Sequence, residues 1–312
     1  MFNNKTRSRY GRHIFMLNKF HALLIVLFVF LAVFVSFFIV SRVKNSISND
    51  KRELLKVWND GDFEQAYTIS KNALLQKPVD YFLLTMNGFS AFQLGVSQIN
   101  NQATLFYIDE SIFALRKALL FQQALKEGRL FYVLGKAYGY KGAEYSDLAV
   151  KYLEIASDMS FNAADIPEYL GIAYAASGDY RNSVAAFSQS FIPNEQPSDK
   201  LLLSIARSYI SMEDFEMAEV YLKQCVVVSP DSNSISVARF LLAEVYIKTH
   251  DYENAEMQYL SILNESGENA EVHFQLGELY NLKGDTTRAR SEWRIATRQN
   301  PAHAKARARL NI

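Results

Sequence analysis

Residues 236–269, SVARFLLAEVYIKTHDYENAEMQYLSILNESGEN, and residues 270–303, AEVHFQLGELYNLKGDTTRARSEWRIATRQNPAH, decide the fold. Set one above the other at an offset of 34, they agree at their packing positions. Leu242 falls on Leu276, Ala243 on Gly277 and Tyr246 on Tyr280. Asp251 then falls on Asp285, Ala255 on Ala289 and Tyr259 on Trp293. A fixed period of this length marks an array in which each unit buries its apolar face only against its neighbours.

The frame runs backwards along the chain. Residues 199–235 carry Ile205, Ala206, Tyr209, Asp214, Ala218, Leu222, Cys225 and Pro230. Residues 164–198 carry Leu170, Gly171, Tyr174, Gly178-Asp179-Tyr180, Ser183 and Phe187. Residues 128–163 carry Leu134, Gly135, Tyr138 and Gly142, then a two-residue insertion before Ala149, Leu153 and Ala156. Residues 81–127 hold Gly88, Gly95, Ser111, Leu115 and Ala118, with about eleven extra residues near Val96–Tyr107. Those extra residues form either a loop or an early extension of the second helix. Residues 47–80 give a weaker first copy with Leu54, Gly61-Asp62-Phe63, Ala66, Ala73 and Pro78.

The motif resembles the tetratricopeptide repeat family. The resemblance rests on Leu-Gly/Ala, an aromatic three residues on, a Gly-Asp-aromatic turn, then Ala, an aromatic or Leu, Ala and Pro. It covers residues 47–303 in about seven copies. It implies an all-α fold, a right-handed α-solenoid of helix-turn-helix repeats whose concave face is lined by the first helix of each pair. The physics agrees. Small residues such as Gly135, Gly171, Ala206, Ala243 and Gly277 let the paired helices approach. Tyr138, Tyr174, Tyr209, Tyr246 and Tyr280 share a helical face with them and fill the space beside the contact. Gly permits φ > 0 at the turn, and Asp caps the next helix. The prolines fit: Pro78, Pro230 and Pro301 follow a second helix, Pro193 and Pro197 lie in a loop, and Pro167 sits in a first helical turn.

The chain has 312 residues and equal numbers of basic and acidic side chains, 33 each. That balance averages two unlike parts. Residues 1–42 hold Lys5, Arg7, Arg9, Arg12, Lys19 and Arg42 with no acidic group. The rest has 27 basic groups against 33 acidic. The neutral total argues against a nucleic-acid partner. Residues 22–40, ALLIVLFVFLAVFVSFFIV, are uncharged. As a helix they reach roughly 28 Å, close to the thickness of a hydrocarbon core. The stretch is longer than the apolar region of a cleaved signal and lacks a small-x-small site after it. The sequence thus predicts a basic cytoplasmic head (1–21), one transmembrane anchor (22–41), a short linker (42–46), the solenoid (47–303) and a basic tail (304–312). Five basic residues precede the span and two follow within ten residues, which predicts a cytoplasmic N-terminus and an extracytoplasmic or periplasmic body at the inner membrane.

No chemical motif emerges. His13, His21, His250, His273 and His303 make no ligand pair, and neither GxxxxGK[ST] nor GxGxxG occurs. Gly135, Gly139 and Gly142 read as packing and turn glycines. Lone Cys225 holds a small packing position and reads as a buried, inert thiol. The expectation is no enzyme, no cofactor and no metal.

The resemblance implies a peptide groove on the first-helix face. The positions carried over are Arg129, Tyr132, Lys136 and Tyr140, then Glu168, Ile172 and Ala175. They continue with Leu203, Arg207 and Ile210, then Phe240, Glu244 and Ile247, and end with Phe274 and Glu278. The family's carboxylate-clamp pair, Lys-x-x-x-Asn, is absent at these positions. Arg290, Arg294 and Arg298 form a basic stripe, followed by Lys305, Arg307 and Arg309. The tail after Asn300 is too short for a full capping helix and is expected to fray or to be capped by a partner. The expected function is a membrane-anchored interaction scaffold for a peptide or helix of an envelope protein. A holdase for exported clients and an accessory subunit of a membrane-bound assembly enzyme are the alternatives.

Overall fold

The computed structural model describes residues 28, 30–31, 33–36, 51–193 and 195–311. Among them every regular element is helical. The head (1–21) and linker (42–46) lie outside the described residues. So does the anchor (22–41), apart from Phe28, Phe30, Leu31 and residues 33–36. Those few are helical, and their apolar members are 46–74% exposed. No helix among the described residues is long and apolar enough to cross a membrane.

The chain divides into two compact units, one ending at Phe121 and one beginning at Gln122. The first holds α1 (51–59), α2 (Phe63–Gln76), α3 (Tyr81–Ser97) and α4 (Asn101–Ala118). Its core is built on Leu54, Val57, Ala66, Ala73, Leu83 and Met86. The extra residues of the second repeat extend the helices. Asn100 caps α4 at Gln102 N and Ala103 N, so the insertion lengthens the hairpin instead of looping out.

The second unit is a run of helical hairpins. α5 (Gly128–Lys141) pairs with α6 (Ser146–Asp158), and α7 (Ile166–Ser177) with α8 (Tyr180–Ser188). α9 (Asp199–Ser211) pairs with α10 (Phe215–Val228), and α11 (Ser232–Lys248) with α12 (Tyr252–Ser266). α13 (Ala270–Leu282) pairs with α14 (Thr286–Gln299). The two-residue insertion between α5 and α6 folds as a short 3-10 turn, Ala143–Tyr145.

One turn geometry recurs. Gly61, Gly178, Glu213, His250 and Gly284 have φ of 79°, 84°, 60°, 61° and 80°. Each precedes an aspartate whose carboxylate accepts a hydrogen bond from the backbone N–H three residues on. These are Asp62, Asp179, Asp214, Asp251 and Asp285. The left-handed residue closes one helix and the aspartate opens the next.

The small positions of the first helices are forced by contact. A Cβ at Gly135 lies 2.7 Å from Leu153 Cγ, at Gly171 2.5 Å from Phe187 Cδ1, and at Gly277 2.4 Å from Trp293 Cδ1. Gly139 differs: a Cβ there meets nothing within 4 Å, so it is neither a packing nor a turn glycine. The repeated tyrosines do more than fill space. Tyr246 donates to Glu219 at 2.9 Å and Tyr280 to Glu256 at 2.7 Å, each reaching back to the second helix of the preceding pair. Tyr174 reaches Glu154 in the same way. Tyr138 and Tyr209 stack on Tyr152 and Tyr221 instead.

The expected frayed tail is a helix, α15 (Ala304–Leu310). The His303 ring accepts from Ala306 N at its start, and Ala306 is fully buried. Arg309 grips Glu278 of α13 through two hydrogen bonds of 2.9 and 2.6 Å. The expectation failed because seven residues are too few for an isolated helix but enough for one docked on a preformed ridge.

Candidate functional site

The first helices of the second unit line a chain of four pockets. The first holds about 350 Å³ and is walled by Gly139, Tyr140, Tyr169 and Ile172. It shares Ile172 with one of about 170 Å³ that adds Ala175, Arg207 and Ser211. That pocket shares Ser211 with a third, of about 560 Å³, holding Ile210, Glu244, Ile247 and Gln275. The third shares Ile247 and Gln275 with a fourth, of about 540 Å³, holding Phe274, Glu278 and Lys305. The shared residues make one groove.

Ten of the fifteen residues predicted for this face line it: Tyr140, Glu168, Ile172, Ala175, Arg207, Ile210, Glu244, Ile247, Phe274 and Glu278. Tyr140 and Ile172 are 41% and 47% exposed and offer apolar surface. Phe274, although it reaches the last pocket, is 5% exposed and packs at a tilt against the His303 ring, with centroids 4.9 Å apart. Leu203 is 8% exposed and belongs to the core. Phe240 packs edge-on against Tyr259, with ring centroids 5.6 Å apart. Arg129 is exposed but outside the pockets.

Tyr132 and Lys136 are held by a partner that sequence reading missed. Asp165, just before α7, accepts from Tyr132 at 2.9 and 2.8 Å and from Lys136 at 2.8 Å. Lys136 Nζ lies 4.0 Å from the centre of the Tyr169 ring. Burial pushes the Asp165 carboxyl up, but the hydrogen bonds from Lys136 and Tyr132 outweigh it and hold the group below its ordinary value. Burial pulls Lys136 down, and the bonds to Asp165 and Tyr132 reverse that too. This cluster clamps α5 to the start of α7. The signal was the position of Asp165 at the start of the next repeat, 33 residues after Tyr132.

Glu244 opens to the groove. Protein around it and the charge of Glu271 raise its carboxyl, and Lys248 offsets part of that. Arg290, Arg294 and Arg298 are all exposed along α14, and none forms an ion pair among the described residues. Burial and Asp199 push the Cys225 thiol up to about 11, which suits an inert packing residue. His273 sits 2.7 Å from Glu292, a contact inside the α13–α14 hairpin.

Residues 179–312 match the family of tetratricopeptide repeat-like domains. Among solved structures, the chain is similar to the C-terminal part of a tetratricopeptide repeat-containing protein from Cytophaga hutchinsonii. Identity is 13%, coverage is 84% of this chain and 100% of that one, and the TM-score is 0.61. A tetratricopeptide repeat protein from Parabacteroides merdae matches at 14% identity, 86% and 98% coverage and a TM-score of 0.50. No curated protein matches the sequence. At these identities the likeness establishes the tetratricopeptide fold and nothing of the ligand.

Proposed function

We propose that the protein is a membrane-anchored interaction scaffold, not an enzyme, and that an extended peptide or helix of an envelope partner lies along the groove. The observation that carries this reading is the continuity of the four pockets through Ile172, Ser211, Ile247 and Gln275. Exposed apolar side chains alternate with single charges along that line, a pattern suited to extended segments. Anchoring is supported by the uncharged stretch 22–40 and its basic flank.

The test uses the full chain in detergent micelles and a nonapeptide library. Gly139→Leu, which enters open space, and Ile172→Glu are each expected to weaken the bound peptides by about tenfold or more, without lowering the unfolding midpoint. A paired Arg290→Glu/Arg294→Glu variant on the outer face is expected to bind like the parent. If groove variants and parent select the same peptides with equal affinity, the groove reading is wrong. For topology, alkaline phosphatase fused to the C-terminus is expected to be active; an expressed but inactive fusion reverses the orientation.

A further inference from the structure

We propose that the pocket between α9, α11 and α13 receives a cationic side chain, arginine or lysine, presented by a bound peptide. This deepens the groove reading and rests on it. Ile210 and Ile247 give the pocket apolar walls, and Glu244 and Gln275 give it polar ones. Tyr259 of α12 also lines it.

Tyr259 is the observation that points to a ligand. The residue is 0% exposed, yet its hydroxyl has no hydrogen-bond partner. Native interiors pair nearly all such groups, because an unpaired one forfeits its bonds to water and gains none in return. Other tyrosines of this unit are satisfied: Tyr246 and Tyr280 donate to Glu219 and Glu256. Tyr259 comes instead from the second helix of its pair, lines the pocket, and feels the charges of Glu244 and Glu271 without a hydrogen bond to either.

The sign of the ligand follows from the charges around the pocket. Glu213 and Glu244 line it against one basic residue, Lys248. Glu271 adds its field at both Glu244 and Tyr259. Glu271 is itself engaged, accepting from Gln275 at 2.9 Å and meeting His303 at 3.1 Å. Glu244, exposed in the groove, has no hydrogen bond or ion pair among the described residues, and the charges that act on its carboxyl are those of Glu271 and Lys248. An anion is repelled here, and a neutral head gains nothing from the field. A guanidinium or ammonium donates to the Glu244 carboxylate and to the Tyr259 hydroxyl oxygen, while its methylene stem lies on Ile210 and Ile247.

The experiment is a positional-scanning library of acetylated, amidated nonapeptides, each position fixed in turn as arginine, lysine, citrulline or glutamate. Binding is read by fluorescence polarisation with the full chain in detergent. At one position arginine and lysine are expected to bind about tenfold or more tighter than citrulline, with glutamate weakest. Glu244→Gln is expected to erase that difference. Tyr259→Phe is expected to weaken the arginine peptides several-fold while leaving the unfolding midpoint unchanged or higher, because the hydroxyl makes no bond in the free protein. Equal binding of arginine and citrulline, or a preference that survives Glu244→Gln, overturns the inference and leaves the groove reading standing. Failure of every peptide to bind overturns both.

Discussion

Gly277 and Gly139 both lie on first helices, and both lack a side chain, for opposite reasons. Gly277 faces Trp293 so closely that a methyl group overlaps the indole ring by more than an ångström of normal contact. Gly277→Ala is expected to destabilise the protein by roughly 1–3 kcal/mol, the range of overpacked cores. Gly139→Ala adds a methyl in open space on a helix, and is expected to stabilise by about 0.5–1 kcal/mol. Urea denaturation of both variants checks the pair, and a loss of stability in Gly139→Ala would refute the geometry. The 34-residue offset identified Gly277 as a packing residue but misread Gly139. Periodicity tells which helical face a residue occupies, and not whether a neighbour stands opposite. The same limit explains Leu203 and Phe274, which share a face with the groove residues but are covered by adjacent helices. Tyr259 was legible as the partner of Trp293 in the alignment, whereas its unpaired hydroxyl was not, since that depends on residues three elements away.

The turn that joins the paired helices is the element most fully written in the sequence. Gly-Asp appears at 61–62, 178–179 and 284–285, and the structure uses each pair as read, left-handed glycine then capping aspartate. At 250–251 the glycine is replaced by His250, which still adopts φ 61°. A non-glycine residue there carries a steric penalty of about 1 kcal/mol, so His250→Gly is expected to raise stability by about that amount. The contact it loses, His250 Nδ1 to Tyr252 at 3.1 Å, is exposed. Asp251→Ala, which removes the acceptor for Asn254 N, is expected to lower stability by about 1 kcal/mol. Thermal unfolding distinguishes the two, and equal midpoints for both variants would sink the cap account. The contact between α5 and the start of α7 carries a pH signature. Asp165 titrates below its ordinary value in the folded protein, so its stabilising effect is complete above the unfolded value and fades as pH falls through the folded one. Asp165→Asn is therefore expected to be less stable than the parent at pH 7, with the gap closing below about pH 4. A gap that does not narrow at all between pH 4 and pH 2 would assign the loss to packing instead.

At the scale of the second unit, stability passes between neighbours, since each hairpin touches mainly the ones before and after it. α15 is the clearest case. It covers the α13–α14 face through buried Ala306, the Arg309–Glu278 pair and the Arg309 guanidinium 5.8 Å from the Trp293 ring centre. The sequence showed only a basic tail here, because seven residues with three arginine or lysine side chains give too short a pattern to read a buried face from. Its docking depends on tertiary contact, which local propensity does not record. Deleting residues 304–312 removes the buried face of α15 and the Arg309–Glu278 pair, and is expected to lower the stability of this end of the array by about 2 kcal/mol or more. Nearest-neighbour coupling makes the effect local. Hydrogen exchange should quicken most in α13 and α14, less in α11 and α12, and not measurably in α1 to α4. Ala306→Glu is the point-mutant version, because its carboxylate would have to occupy a position with 0% exposure. It is expected to reproduce the gradient with most of the loss, whereas Lys305→Ala, at an exposed neighbouring position, should leave exchange unchanged. Uniform quickening along the whole chain would mean that the array folds as one cooperative block, and unchanged exchange in α13 would mean that α15 does not hold that face at all.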